Sequence, residues 1–229
     1  MQRCFALLPA FLSLARESAA RALDLLELGP SAGLNLLWDR YAYAYRHGSW
    51  GTSRLTLRGV EYAPVPGEVL ETELEVRRRR GIDLKPVDLT SDHGARLLRA
   101  FLWPGRVERA QRLRQAIDIF RREPPELIRG DYVELLPSLL AERDDEALTV
   151  VFQTASTGYL PAERRAALRE LLEDAGRDGP LGWISTRAVE EREEKRDDGY
   201  ELEVALWPGG TRRLLLRCDF HGRWLRWRG

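Results

Sequence analysis

The chain has 229 residues, 44% of them hydrophobic and 31% charged. This is enough for one large core and too little for two, so we expect one domain over residues 1–229. Its 36 basic residues balance its 36 acidic ones, which argues against nucleic acid and membranes as partners because both attract a basic excess. The two cysteines and three scattered histidines suit neither a disulfide scaffold nor a metal site, and we expect free thiols in a cytoplasmic protein.

The first 20 residues predict a helix that packs on the core. Arg16 and Glu17 would face outward, and the side chains that would face inward are Leu7, Leu8, Phe11, Leu12 and Leu14. The basic residue, the apolar stretch and the triplet Ala20-Arg21-Ala22 also resemble a secretory signal. The helix is the better interpretation because the segment leads directly into the first strand.

The next segments predict a strand, a turn and a β-rich insertion. "ALDLLEL" is a short apolar run typical of a buried strand, and "GPSAG" after it indicates a tight turn into a helix. Residues 47–80 are rich in glycine, proline, β-branched and aromatic residues and are the predicted insertion. The segments "SRLTLRGV" and "VLETELEVRRRRGIDL" are predicted to be a pair of extended segments around Pro66-Gly67.

The second half of the chain alternates strands with helices. Apolar residues recur every three or four positions over 105–123, which predicts a helix that Pro124-Pro125 ends. A second helix is predicted from Pro161 to Gly176, where the glycine would close it. The other predicted elements are the strand "ELIRGD", the helical segment "YVELLPSLLAE", the strands "ALTVVFQTAS" and "GPLGWIST", a loop or helix at "EEREEKRDD", and the terminal hairpin "GYELEVALWPGGTRRLLLRCDF".

This order of elements predicts an α/β protein with a doubly wound, mainly parallel sheet and helices on both faces. Such sheets bind ligands beyond the carboxyl ends of their strands, where the strand order reverses. The turn in "LELGPSAGLN" would lie at that place. Its glycines are explained either by a cofactor that approaches the backbone or by a tight turn that needs glycine.

A seven-strand sheet of this kind, with an extended segment inserted after the first helix and a C-terminal antiparallel hairpin, resembles the class I S-adenosylmethionine-dependent methyltransferase fold. Glu27-Leu28-Gly29 with Gly33 resembles the first motif of those enzymes, and Arg129-Gly130-Asp131 resembles the motif on their third strand. "VVFQTASTGYL" falls where their fourth strand faces the reacting methyl group. The resemblance implies S-adenosylmethionine as cofactor.

A narrower resemblance covers almost the whole chain. It is similar to a family of uncharacterised bacterial proteins with a methyltransferase-like fold, in which an extra N-terminal helical region is usual, so this chain is expected to be a short form. The motifs that carry the resemblance are "RCFALLPAF", "LELGPSAGLNLLWDRY", "RRGIDLKPVDLT", "LWPGR", "LIRGD" and "HGRWLRW".

Six residues are the predicted cofactor ligands. The resemblance assigns the ribose hydroxyls to Asp83, with Asp88 and Glu61 as alternatives, and the adenine to Asp131, whose alternative role is a helix cap. Ser31 could donate a hydrogen bond within the turn. The full predicted set is Glu27, Gly29, Ser31, Gly33, Asp83 and Asp131.

The catalytic candidates are Gln153 and Thr154, at the end of the fourth-strand motif, and His221 as a general base. The aromatic residues between Trp38 and Trp50 would roof a pocket or, more simply, pack in the core. The leading hypothesis is a methyltransferase for an unidentified small molecule. The alternatives are a non-catalytic binding or regulatory module and, third, a dinucleotide-binding oxidoreductase, which the absence of G-x-G-x-x-G disfavours.

Overall fold

The computed structural model describes residues 1–102, 105, 107–144, 146–189 and 199–229. The charged run at 190–198 and most of "LWPGR" lie outside the described residues. The α-helices are α1 (Cys4–Ser18), α2 (Gly67–Leu70), α3 (Asp92–Ala100), α4 (Val107–Arg122), α5 (Tyr132–Ala141) and α6 (Ala162–Asp178), and 3₁₀ helices span Leu34–Arg40 and Ser156–Tyr159. The strands are β1 (Ala22–Leu28), β2 (Ala42–Tyr45), β3 (Gly48–Trp50), β4 (Thr56–Arg58), β5 (Val60–Ala63), β6 (Glu75–Asp83), β7 (Glu126–Arg129), β8 (Leu148–Phe152), β9 (Leu181–Val189), β10 (Gly199–Trp207), β11 (Arg213–Cys218) and β12 (Trp224–Trp227).

The main sheet has nine strands in the order β5-β12-β11-β10-β9-β8-β1-β6-β7. The half from β7 to β9 is parallel, and β1 lies at its centre between β6 and β8. Strands β9 to β12 continue the sheet as antiparallel neighbours, and β5 pairs with β12 in parallel. The structure is therefore α/β with a parallel half and an antiparallel half.

The prediction of a seven-strand, mainly parallel, methyltransferase-like sheet is wrong. The terminal hairpin of β10 and β11 is confirmed, but the sheet continues beyond it through β12, which is antiparallel to β11, and β5, which is parallel to β12. Both added strands have four residues, too few for alternation to be recognised, and β5 pairs with a strand from the far end of the chain. Only tertiary neighbours decide such a pairing.

The extended segments around Pro66-Gly67 do not pair with each other, contrary to the prediction. The first supplies β4, which pairs with β2 in a separate three-stranded sheet of order β3-β2-β4. The second contains β6, whose parallel partners are β1 and β7 in the main sheet. Residues 67–70 form the short helix α2, so the turn does not fold the chain back into a hairpin.

Both faces of the main sheet are covered by apolar side chains. One face packs against α1, α4 and the small sheet, and the other packs against α5 and α6. The predicted helix at the N-terminus is confirmed, but its burial is more complete than an amphipathic pattern requires, since every residue from Cys4 to Ala15 is buried. Phe11 of this helix stacks on Trp38, with ring centroids 4.6 Å apart.

The aromatic residues after the glycine turn are core residues. Tyr41, Tyr43 and Tyr45 are buried, and each hydroxyl donates to a backbone carbonyl oxygen at 2.6–2.7 Å. A buried phenol needs such a partner. Packing therefore explains this cluster without a ligand.

Helix α6 extends past the predicted closing residue. Gly176 lies inside the helix, which ends at Asp178. A Cβ atom at Gly176 would come within 2.3 Å of Trp207 Cγ on β10. The glycine thus lets the helix approach the sheet and does not stop the helix.

Candidate functional site

The carboxyl ends of the parallel strands form one edge of the sheet. Strand β1 ends at Leu28, β6 at Asp83, β7 at Arg129 and β8 at Phe152. Chain order runs outward from β1 in both directions, through β6 on one side and β8 on the other. The crevice expected at such a reversal therefore lies beside β1.

The turn after β1 has a backbone that needs glycine. Gly29 and Gly33 have φ values of 71° and 69°, and Ser31 between them has φ 56°. A Cβ at Gly29 would lie 2.5 Å from Ser156 Cβ, and one at Gly33 would lie 3.0 Å from Leu127 Cδ2. Left-handed conformation and close packing both account for these glycines.

Asp83 fixes the position of this turn. The Ser31 N–H donates to its Oδ2 at 2.8 Å, and the Lys85 N–H donates to its Oδ1 at 2.8 Å. Strand β6 ends at this residue beside β1. The carboxylate predicted to meet a ribose therefore does lie next to the glycine turn.

The two alternatives to Asp83, which are Asp88 and Glu61, do not bond to the glycine turn. Asp88 is exposed, and its carboxylate accepts the N–H and the hydroxyl of Thr90, which lower its pKa. Glu61 is buried on β5, at the opposite edge of the nine-stranded sheet, where it accepts the Val65 N–H at 3.0 Å. Of the three carboxylates, Asp83 alone bonds to the turn.

Glu27 is a buried carboxylate near the end of β1, with an exposed fraction of 1%. Asn35 on the 3₁₀ helix donates to its Oε1 at 2.9 Å, while Oε2 has no hydrogen-bond partner. Burial raises the pKa of Glu27 from 4.5 to about 7, although the Asn35 hydrogen bond and the nearby charge of Arg3 act in the opposite direction. Burial therefore favours the protonated form of this carboxyl group, compared with an exposed glutamate.

Asp131 lies between β7 and α5, as the N-cap residue of the helix. Its Oδ1 accepts the Val133 N–H at 2.8 Å and forms an ion pair with Arg164 at 2.8 Å. The N–H of the preceding Gly130 donates to the backbone oxygen of Asp83 at 3.0 Å. Asp131 thus caps its helix and also lies at the carboxyl edge beside Asp83.

Gln153 and Thr154 follow β8. Gln153 is buried, its Nε2 donates to the Thr186 backbone oxygen at 3.0 Å, and its Oε1 has no partner. Arg3 donates to the Thr154 hydroxyl and backbone oxygens at 3.4 Å. The next residue, Ala155, has φ 77°, an unusual value outside glycine that marks backbone strain.

His221 follows Phe220, whose backbone oxygen accepts the Arg3 Nε at 2.9 Å, and the same Arg3 side chain donates to Thr154 at 3.4 Å. His221 is exposed in the turn between β11 and β12, and three strands separate β11 from β1. Partial burial lowers its pKa from 6.5. The structure thus brings Glu27, Asp83 and the glycine turn together, with Asp131, Gln153 and Thr154 along the same edge, and Arg3 links Thr154 to the turn that contains His221.

A cavity of about 550 Å³ opens beside Gln153, and the sequence analysis did not predict it. It lies between α6, strands β9 and β10, and the loop after β8. The side chains that form its walls include Trp183, Ser185 and Arg187 on β9, Leu168, Arg169 and Leu172 on α6, and Glu203 and Trp207 on β10. Alternation on β9 was the available signal, since residues 183, 185 and 187 share one face of a strand.

Comparison with known proteins identifies the family of the chain. A family model described as "Uncharacterized protein conserved in bacteria (DUF2332)" matches residues 1–227. The chain belongs to the DUF2332 family. This confirms the expected resemblance to a bacterial family of unknown function, and no curated protein matches the sequence.

The described part of this DUF2332 chain has neither a membrane-spanning helix nor a cluster of metal ligands. Within it, no helix has both the length and the apolar character needed to cross a membrane. Among the same residues, no cluster of three or more His, Cys, Asp or Glu side chains is arranged to hold a metal ion. Both cysteines are free and buried, and burial raises the pKa of each thiol to about 12, as expected for structural thiols.

Proposed function

We propose that the protein binds S-adenosylmethionine at the carboxyl edge of its parallel strands and transfers the methyl group to a small molecule. The observation that carries this proposal is the buried Glu27 carboxylate, whose Oε2 has no partner. A buried charged oxygen without a partner is costly, and a cationic ligand group removes that cost. S-Adenosylmethionine has two cationic groups, an α-ammonium and a sulfonium.

Neighbouring residues complement the rest of the cofactor. Each Asp83 oxygen accepts one backbone N–H, and an ionised carboxylate has further lone pairs for the ribose hydroxyls. The charge of Arg3 acts on Glu27, so an anionic and a cationic side chain lie in one region. Such a pair suits the amino-acid end of the cofactor, which is a zwitterion.

Binding of the cofactor at Glu27 requires a movement of the residues around this carboxylate. Because Glu27 is only 1% exposed, the cofactor can reach it only if the residues that cover it move. Those residues are Asn35 on the 3₁₀ helix and Cys4 on α1, which bond to each other at 3.4 Å. Gly29, by contrast, gives the cofactor no room, since Ser156 fills the space a Cβ would occupy.

Methyl transfer needs little acid–base catalysis by the protein. Methyl transfer from a sulfonium to a good nucleophile depends mainly on alignment and on a site shaped around the changing charge. Gln153 and Thr154 are at the correct edge to orient a methyl acceptor, and the cavity beside Gln153 gives it space.

Calorimetric titration of the whole chain tests the proposal. We expect S-adenosylmethionine and S-adenosylhomocysteine to bind and NADH not to bind. Glu27→Gln and Asp83→Asn should each weaken binding of both sulfur nucleotides by about tenfold or more, the loss expected for a charge-assisted contact. Glu126→Gln, at an exposed carboxylate on β7, is the matched control and should bind normally.

Failure to bind either sulfur nucleotide, by wild-type protein shown to be folded, would contradict the proposal. NADH binding alone would favour the oxidoreductase instead. Normal binding by Glu27→Gln would show that the buried carboxylate is not the cofactor's partner. Hydrogen exchange adds an independent readout, because S-adenosylhomocysteine should change the protection of residues 34–40.

The second candidate is a non-catalytic binding module. The packing of Ser156 on Gly29 favours it, since a glycine turn that serves packing need not have been kept for catalysis. So does the chemistry of Gln153 and Thr154, neither of which is a strong base. This candidate predicts nucleotide binding without transfer, and a screen with methyl-labelled cofactor over small-molecule acceptors distinguishes the two.

A further inference from the structure

The cavity beside α6 has an apolar floor. Trp183 on β9 and Trp207 on β10 are buried there, with exposed fractions of 7% and 8%. Leu168 and Leu172 of α6 close the opposite side. Two indole rings and two leucines at the base of a space of about 550 Å³ suit a flat, apolar ligand body.

The polar groups of the cavity lie toward the carboxyl edge. Ser185 and Thr186 are mostly buried, and the Thr186 hydroxyl accepts the Ala155 N–H at 2.8 Å. Gln153 lines the same end, with its Oε1 unpartnered. A ligand that fills the cavity would therefore have an apolar end on the indoles and a polar end among these groups.

Positive charge exceeds negative charge around the cavity. Its walls contain two glutamates, Glu173 and Glu203, and four arginines, Arg165, Arg169, Arg187 and Arg212. Arg212 pairs with Glu203 at 3.2 Å, and Arg187 pairs with Glu201. Glu201 also pairs with Arg217, so a single carboxylate faces two guanidinium groups and the local excess remains positive.

Arg169 is the arginine left for a ligand. It is exposed on α6, and within the described residues it has neither an ion pair nor a hydrogen bond to its side chain. A guanidinium group binds a carboxylate through two parallel N–H donors, which fixes the position of the anion. Arg169 is on the same helix as Leu168 and Leu172, so α6 contacts both the apolar part and the anionic part of a ligand in this cavity.

We propose that this cavity binds an aromatic carboxylate, with the ring on Trp183 and Trp207 and the anionic group at Arg169. As a statement about binding, the proposal stands on the cavity alone. As a statement that such an anion is the methyl acceptor, it rests on the proposed function, because Gln153 joins the cavity to the cofactor edge.

Titration with matched naphthalene probes tests the binding. We expect 2-naphthoate to quench tryptophan fluorescence and to bind at least tenfold more tightly than neutral 2-naphthamide, with the preference reduced at high salt. Arg169→Gln should weaken 2-naphthoate about tenfold and leave 2-naphthamide unchanged. Arg177→Gln, on the same helix but outside the cavity, should behave as wild type.

Three results would overturn the proposal: no binding of 2-naphthoate, equal affinity for acid and amide, or equal effects of the two arginine variants. Both arginines are exposed, so the variants are expected to fold, and thermal unfolding checks this. The titration uses protein without cofactor. If naphthoate binds and S-adenosylmethionine does not, the proposed function fails and the ligand site remains, whereas the reverse result rejects only the ligand site.

Discussion

Replacing Glu27 by glutamine should make the protein more stable at neutral and basic pH. Burial raises the pKa of Glu27 from 4.5 to about 7, so between these values the folded chain holds a proton that the unfolded chain has released. Stability therefore falls as pH rises through this window. The groups that face Glu27 are Arg3, Cys4 and the Met1 amino group around the start of α1, Asn35 on the 3₁₀ helix and Asp83 at the end of β6.

The size of the effect follows from the pKa difference. At pH 8 the ionised Glu27 costs the folded state about 3 kcal/mol, and at pH 5 the cost is below about 1 kcal/mol. Glutamine has nearly the same shape, keeps a hydrogen-bonding group for Asn35 and never ionises. Glu27→Gln should thus gain about 3 kcal/mol over wild type at pH 8 and little at pH 5.

Urea denaturation at pH 5, 6, 7 and 8 measures this difference, with Glu126→Gln as the exposed control. A Glu27→Gln protein that is less stable than wild type at pH 8, or a difference that does not change with pH, would refute the reasoning. The same variant should lose affinity for S-adenosylhomocysteine. A substitution that raises stability and removes binding is the behaviour expected of a carboxylate kept for function.

Three further predictions concern packing, capping and thiol chemistry. Gly176→Ala should destabilise the protein by about 1–3 kcal/mol in urea, despite alanine's better helix propensity, because its Cβ would lie 2.3 Å from Trp207 Cγ; a gain in stability would contradict the packing. Asp131→Ala should cost about 1 kcal/mol because it removes the cap of α5, and Asp131→Ser should restore most of that loss if capping is the cause. Cys4 and Cys218 should not react with a disulfide reagent in native buffer and should react fully in urea, since burial raises both thiol pKa values to about 12; rapid labelling of folded protein would show that one is accessible.

Elements with a strong local pattern could be predicted from the sequence. The strand "ALDLLEL", the helix after residue 105 and the terminal hairpin are confirmed at nearly the expected places. The end of β6 at Asp83 also agrees with the carboxylate expected there. In each case the information lies within a few neighbouring residues, as apolar periodicity or as turn chemistry.

The pairing of short strands could not be predicted in this way. Strand β5 has one buried residue in four, and nothing near it in the chain indicates that its partner is β12. The Pro66-Gly67 segment contains a good turn signal, yet the strands on either side of it, β5 and β6, lie far apart in the nine-stranded sheet. A turn signal describes a local bend and says nothing about which strand lies alongside.

The sequence by itself determined the alternation of strands and helices, the glycine turn and the family. Only the tertiary structure decided the nine-strand order, the position of His221 and the burial of Glu27. The physical reason is that desolvation depends on what covers a group, and α1 and the 3₁₀ helix cover Glu27 from elsewhere in the chain. The cavity between α6 and the antiparallel half has the same origin, because its walls come from separate elements that packing alone brings together.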